Sequence, residues 1–485
     1  MDNKLTEITS KKSYISWPVI ALLDFVTVIS FDDLIYNFKN QGLGVVTTWI
    51  LMLVLFVVPY EMMVGNLGSA FSGDSGGLTS WVRETSGNTW GYICAWVYWI
   101  SCLPYIVDVA NSTLISFGWI LTGNNSISKS MSNSTFALLT AAIFITFIFI
   151  QHRLKNSIKW LAIIGGSAMF IITVLYVMLT FVYLGTGNAP STQPFNLKSF
   201  IPKLDLHYIS TFSLVIFAMS GSEYVGPYIS QMKDGKRDFP KAMWLLAIMT
   251  GFLTVLGSFS LGVFFNAHSL PHDLKMNGSY YAFEAMGNHF GLGKLFLYTF
   301  SITQAIYMMA QLAVLLDAGT RMFLSDTAKN YLPKALTKLD KRGLPINGYW
   351  LTAGICTLIM VLSATLPNMN DIFNQLLSLN GIISPYASCF VFSSFIILRF
   401  KDDKFNSEFK FINNRNLAII AGIWCLTLTF SAATLGIIPA DAKFGTTTWY
   451  HTLILNISEP LIMVAIGAIL PIIAKYERRN KKKLS

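Results

Sequence analysis

Apolar residues in this chain come in blocks too long for the helices of a soluble fold. Windows of spanning length fall at about 17–38, 43–65, 88–121, 136–151, 158–185, 207–231, 242–266, 292–324, 349–366, 372–399, 416–438 and 448–474. Each predicts a transmembrane helix. Twelve of them put both termini on one side of the bilayer. The connecting stretches 186–206 and 267–290 are polar enough to carry short surface helices. Two spans are interrupted. The first contains T-V-I-S-F-D-D-L at Thr27–Leu34, and the sixth contains M-S-G-S-E-Y-V-G-P at Met219–Pro227. β-Branched and small polar residues hold a helix poorly, and carboxylates are costly inside a bilayer. Both stretches therefore read as breaks in otherwise spanning helices. Asn380 and Gly381 suggest a third, weaker break in the tenth span.

Composition and charge agree with that pattern. Of the 485 residues 53% are hydrophobic and only 12% charged, with a mean hydropathy of +0.52, which defines an all-α, polytopic membrane protein. The net charge of +10 invites a nucleic-acid partner, but its distribution argues otherwise. Of the 35 Lys and Arg, 28 fall in the termini and the loops on the terminal side, and seven on the opposite side. That asymmetry follows the positive-inside rule, so both termini are expected in the cytoplasm and no nucleic acid is implied. Cys94, Cys102, Cys356, Cys389 and Cys425 lie in apolar segments without C-x-x-C spacing and read as reduced packing residues. N-S-T at Asn133–Thr135 and N-G-S at Asn277–Ser279 have the form of glycosylation acceptors, a form that often arises by chance in such chains. No nucleophile motif, paired catalytic carboxylates, metal-ligand spacing or phosphate loop rises above background, so neither an enzyme nor a cofactor is expected.

Interrupted spans in corresponding halves point to the substrate site of a secondary transporter. Four stretches sharpen this. They are V-I-S-F-D-D-L at Val28–Leu34; G-G-L-T-S-W-V at Gly76–Val82 with W-G-Y at Trp90–Tyr92; S-G-S-E at Ser220–Glu223 leading to K-D-G-K-R-D-F-P-K-A at Lys233–Ala242; and R-M-F-L-S-D at Arg321–Asp326, followed by L-P-K-A-L at Leu332–Leu336 and G-L-P-I-N at Gly343–Asn347. In this order the chain resembles the amino acid–polyamine–organocation superfamily, and within it the bacterial glutamate/GABA antiporter branch. The resemblance implies the leucine-transporter fold, a five-plus-five inverted repeat with broken helices 1 and 6 and two further helices. On that basis residues 1–16 form an N-terminal segment, 17–400 the transport core, 401–474 the last two helices and 475–485 a basic tail. It also implies that backbone at Ile29, Ser30 and Phe31, and at Ser220, Gly221 and Ser222, holds the substrate's amino and carboxylate groups. Helix ends freed by a break suit both charges.

Two departures from that branch shape the functional expectation. Where the glutamate exchangers carry Arg after the first V-I-S-L run, this chain has Asp32, and Asp108 lies mid-way in the third span. With Asp33 and Glu223 these acids predict an acidic cavity, since unit charges ~4 Å apart interact by several kcal/mol at an effective dielectric of ~20. A cationic amine is then favoured and glutamate disfavoured. The expected activity is exchange of an amino acid for its decarboxylated amine, of the histidine/histamine or tyrosine/tyramine type. Proton-coupled uptake of a neutral or cationic amino acid, and a non-transporting amino acid sensor, are the alternatives. Asp32, Asp108 and Tyr224 are the candidate side-chain contacts, and Glu223 and Asp33 the candidate gating or proton-carrying groups. Tyr105, Phe217, Tyr307 and Met308 are candidate walls, and Asp317 and Arg321, one turn apart, are expected to pair. The second departure is the short polar tail after Lys475, from which no C-terminal plug is expected.

Overall fold

The computed structural model describes residues 14–74, 77–154, 156–324, 331–338, 346–366, 368–405, 407–440 and 442–484. Residues 1–13, with most of the N-terminal segment, lie outside this set, as do Gly76, Ser325, Asp326 and residues 343–345 of the family-like motifs.

The broken first span is two helices, α1 (Trp17–Val28) and α2 (Phe31–Gln41), separated by Ile29 and Ser30 in extended conformation. The second is α3 (Gly44–Met52) and α4 (Val58–Ala70), joined through a π-helical turn at Leu53–Val57. A short helix, α5 (Leu78–Ser86), leads into the 35-residue α6 (Asn88–Thr122). After the small α7 (Ser126–Ser130) come α8 (Asn133–Arg153) and α9 (Ser157–Gly185). The sixth span is again split, into α10 (Leu206–Ala218) and a 3-10 helix over Ser222–Gln231. The seventh runs through α11 (Gly235–Gly251) and α12 (Gly257–Phe264) with a π turn at Phe252–Leu256. Then follow α13 (Leu274–His289), α14 (Leu295–Leu324), α15 (Ile346–Ser363), α16 (Met369–Phe400), α17 (Arg415–Gly436), α18 (Thr447–Ile466) and α19 (Ile469–Leu484).

Among the described residues ten helices are long and apolar enough to cross a membrane, and the two split spans bring the crossings to the twelve expected from hydropathy. The halves match beyond the breaks. Spans 1 and 6 are both interrupted, and spans 2 and 7 both carry a π turn, which is a repeat visible in geometry and not in residue identity. α6 and α14 pack most extensively and form the centre: 89% of the apolar window of α6 is buried, against 11% for the stretch covering α18, which is therefore peripheral. Ile171, Met178, Ile420, Ile454 and Leu461 point outward, as lipid-facing side chains must.

The fold corrects two expectations. α13 is not a surface helix: Lys275, Asn277 and Ser279 on it are buried, and Asn277 Oδ1 accepts from Trp119 Nε1 at 2.8 Å, which leaves that sequon no access to modification. α16 runs as one helix through Asn380 and Gly381.

One close approach fixes the 222–231 helix against the loop before α5. A Cβ on Gly226 would lie 2.8 Å from the Cα of Gly77, whose own φ is +56°. Gly226→Ala is expected to destabilise the protein by about 1–3 kcal/mol through overpacking, read as a lower unfolding temperature of detergent-purified protein.

Candidate functional site

At the first break, the free N–H groups of α2 are met by its own first turn. Asp33 Oδ2 accepts from the Ser30 backbone N at 2.5 Å and from Ser30 Oγ at 2.9 Å, while Oδ1 accepts from the Tyr36 hydroxyl at 2.7 Å. Asp33 is a helix cap. The carbonyls that end α1 face the Tyr307 hydroxyl, which lies 2.8 Å from the Phe25 oxygen and also contacts that of Ile29. Phe31 packs between Tyr176, Phe283 and Phe300, with ring centroids 5.4, 5.2 and 5.7 Å away. Asp32 accepts from Ser279 Oγ and, at 2.8 Å, from Gln304 Nε2, which ties the break to α13 and α14.

At the second break Gly221 adopts φ +121°, open to glycine and strained for other residues. Crowding is not the reason for this glycine. A Cβ there meets Tyr224 at an ordinary 3.4 Å, so backbone conformation is what demands it. The exposed N–H groups of Gly221 and Ser222 both donate to the Tyr60 hydroxyl, at 2.8 and 3.1 Å, and that hydroxyl donates to Glu223. Ser388 Oγ donates to the other Glu223 oxygen at 3.2 Å, and Ser222 Oγ to Glu61 Oε1 at 2.8 Å. Tyr60 thus occupies the anion-binding end of the half-helix.

Between the breaks lies a cavity of about 20 Å³, lined by Thr27, Val28, Tyr98, Ser101, Tyr105, Phe217, Ser220, Gly221, Tyr224, Ser384 and Ser388. It has room for about one water. Its polar groups are hydroxyls and backbone, and among the described residues no charged side chain lines it. Of the residues singled out from sequence, Ser220, Gly221, Tyr224, Tyr105 and Phe217 border this space. Ile29, Ser30, Phe31, Asp32, Asp33, Asp108, Ser222 and Glu223 stand behind its wall. Sequence reasoning missed Thr27, Val28, Tyr98, Ser101, Ser384 and Ser388. Thr27 and Val28 lie inside the first polar interruption, whereas Ser384 and Ser388, on a continuous α16, carry no local signal.

An ionic cluster stands toward each end. Toward the termini, buried Asp317 accepts from Tyr228 OH at 2.7 Å, from Arg321 Nε at 2.8 Å and from Tyr349, beside a cavity of about 550 Å³. This is the expected Asp317–Arg321 pair, with two tyrosines added. At the opposite end Lys275 Nζ lies 3.4 Å from Asp108 Oδ2 and 5.0 Å from the Tyr36 ring centroid. Burial works to lower the pKa of Lys275, and the carboxylates of Asp108, Asp32 and Asp33 outweigh it, holding the ammonium above the usual lysine range. Asp108 was expected to contact substrate; its partner is a lysine from a segment that reads as an external loop. Lys275 and Lys39 also line a second cavity of about 200 Å³ with Tyr36, Asn40, Asn374, Thr452 and other neutral residues, and among the described residues no carboxylate lines it.

The family model described as "Amino acid permease" matches residues 18–458. The aspartate/glutamate permease AcaP of Lactococcus lactis subsp. cremoris is 36% identical over 475 residues, 97% of each chain. A glutamate/gamma-aminobutyrate antiporter of Lactococcus lactis subsp. lactis is 25% identical over 457 residues, 92% of this chain and 87% of its own. Among solved structures, MhsT in complex with L-phenylalanine superposes with a TM-score of 0.59 at 15% identity, covering 86% of this chain and 99% of that one. That likeness is one of fold, the leucine-transporter fold.

Tyr60→Phe strips the hydroxyl from two backbone donors and a carboxylate at once. The expected loss is about 1–3 kcal/mol per unsatisfied buried group, measured as reduced thermal stability together with slower uptake in reconstituted vesicles.

Proposed function

This chain belongs to the amino acid permease family, and from that premise we propose that it carries acidic amino acids of the aspartate and glutamate class by alternating access. The observation that carries the reading is the cavity opposite the termini, which is lined by Lys39 and Lys275 and, among the described residues, by no acid. Such a mouth concentrates anions and repels amines. The 36% identity to an aspartate/glutamate permease supports the same class. The contrary expectation, amine exchange of the histidine/histamine type, drew its motive from Asp32 and Asp108 as free acids. Asp108 is paired with Lys275 and Asp32 is held by Ser279 and Gln304, so that motive lapses.

In this reading the substrate lodges between the two breaks, with its carboxylate drawn to the half-helix N-terminus now covered by Tyr60 and its side chain among the hydroxyls of Ser101, Ser384 and Ser388. The 20 Å³ space has to widen to take an amino acid. The Asp317–Arg321 and Asp108–Lys275 clusters act as alternating closures of the two ends. With 28 of 35 basic residues on the terminal side, that end faces the cytoplasm.

Counterflow into vesicles reconstituted with the protein, offered labelled aspartate, glutamate, histidine, tyrosine and arginine, tests the class. Aspartate or glutamate is expected to be carried best; preference for histidine or tyrosine returns the amine reading. Removing Lys275 alone strands a buried carboxylate at a cost of about 3–5 kcal/mol, so Lys39→Gln, at an exposed lysine lining the same cavity, is the cleaner probe. It is expected to raise the KM for glutamate about tenfold, equivalent to ~1.4 kcal/mol of lost attraction.

A further inference from the structure

Three interior carboxylates stand apart from the closures at either end. Asp24 on α1, Glu61 on α4 and Glu223 on the 222–231 helix are all fully buried and within electrostatic reach of one another. Glu223 has donors on both oxygens, Tyr60 and Ser388. The other two do not. Glu61 Oε1 accepts from Ser222, while its Oε2 has no partner. Asp24 Oδ1 has only a long 3.4 Å contact from Thr27 Oγ1, and its Oδ2 has none. Facing the group are Tyr60 from α4, Tyr98 and Cys94 from α6, and Ser388 from α16. Among the described residues no lysine, arginine or histidine pairs with any of the three.

An ionised carboxylate in such surroundings costs several kcal/mol, and neighbouring ones repel, so the bare oxygens call for a bound cation. Among the described residues no three His, Cys, Asp or Glu side chains are grouped to hold a metal ion. A proton needs one oxygen only. We propose that Glu61 and Asp24 form a proton-binding site that couples transport, taking up a proton on one side of the membrane and releasing it on the other. Glu61 is linked to the cavity through one residue. Its Ser222 partner adjoins Gly221, so any movement of the second break changes the donor that Glu61 can count on. The same link makes the protonation state of Glu61 felt at the break. Coupling also answers an energetic need. A substrate of charge −1 entering a cell that is negative inside works against about 2.3 kcal/mol per 100 mV, and one proton cancels that charge.

The inference rests on the transport of an amino acid and not on its acidity. If counterflow shows that aspartate and glutamate are not carried, the class proposed above fails, and the coupling test proceeds with the amino acid that counterflow identifies. The test uses the full-length protein in liposomes, with two readouts: accumulation driven by a pH gradient, and proton movement reported by a pH-sensitive dye during uptake. For the wild type, one coupled proton supports about tenfold accumulation per pH unit. Glu61→Gln keeps an acceptor for Ser222 but holds no exchangeable proton. It is expected to lose gradient-driven accumulation and dye response while counterflow at equal pH remains measurable. Asp24→Asn is expected to weaken both coupled readouts in the same way. Wild-type uptake indifferent to the pH gradient overturns the proposal, and so does a Glu61→Gln protein that still concentrates substrate. Should Glu61→Gln fail to fold, Glu61→Asp retains a carboxylate drawn back from Ser222. It is expected to shift the pH profile of uptake, and an unchanged profile overturns the proposal.

Discussion

Backbone polar groups cannot be left bare inside a bilayer, and the centre of this protein is arranged around that constraint. Breaking two spanning helices frees donors and acceptors at mid-depth. Side chains claim those groups, some from the same turn and some from distant helices. Tyr307 meets the carbonyls that end α1, Asp33 and Ser30 serve the start of α2, and Tyr60 meets the N–H groups of Gly221 and Ser222. The breaks are therefore firm structures. Ser222 and Glu61 extend the second one into the carboxylate cluster.

Charge inside the bundle is treated in three ways, each with a different physical consequence. Asp317 is saturated by Arg321 and two tyrosines, which gives a cohesive closure near the termini. Asp108 is balanced by Lys275, but at 3.4 Å and with one oxygen unpartnered, a looser arrangement that suits a gate able to exchange partners. Asp24 and Glu61 have no cationic partner among the described residues, and each has an oxygen without a hydrogen bond. Two charge-balanced ends therefore flank a core that holds bare carboxylates.

The spans, the two interruptions and the family were legible because they rest on local properties. A run of apolar residues long enough to cross a bilayer admits one structure, and a polar, β-branched interruption in it has few readings. Ser220, Gly221 and Tyr224, which border the small cavity, stand within the second interruption. The acids misled because local sequence does not say which way a carboxylate turns. Asp33 looked like a gate and is seen as a cap, and Asp32 looked like a cavity residue and is seen holding α13 and α14 to the break.

By its order of residues alone this chain determined an all-helical membrane bundle, the two points at which helices must break, and membership of a transporter family. These follow from hydrophobic length and helix propensity, which act over a few turns of one helix. Tertiary structure decided where the charges stand. Lys275 lies 167 positions from Asp108, Glu61 lies 161 from Ser222, and Tyr60 lies 163 from Glu223. Such pairings depend on how helices from opposite halves of the chain pack, and only packing turns a list of acids into a cap, a closure and a pair of bare carboxylates.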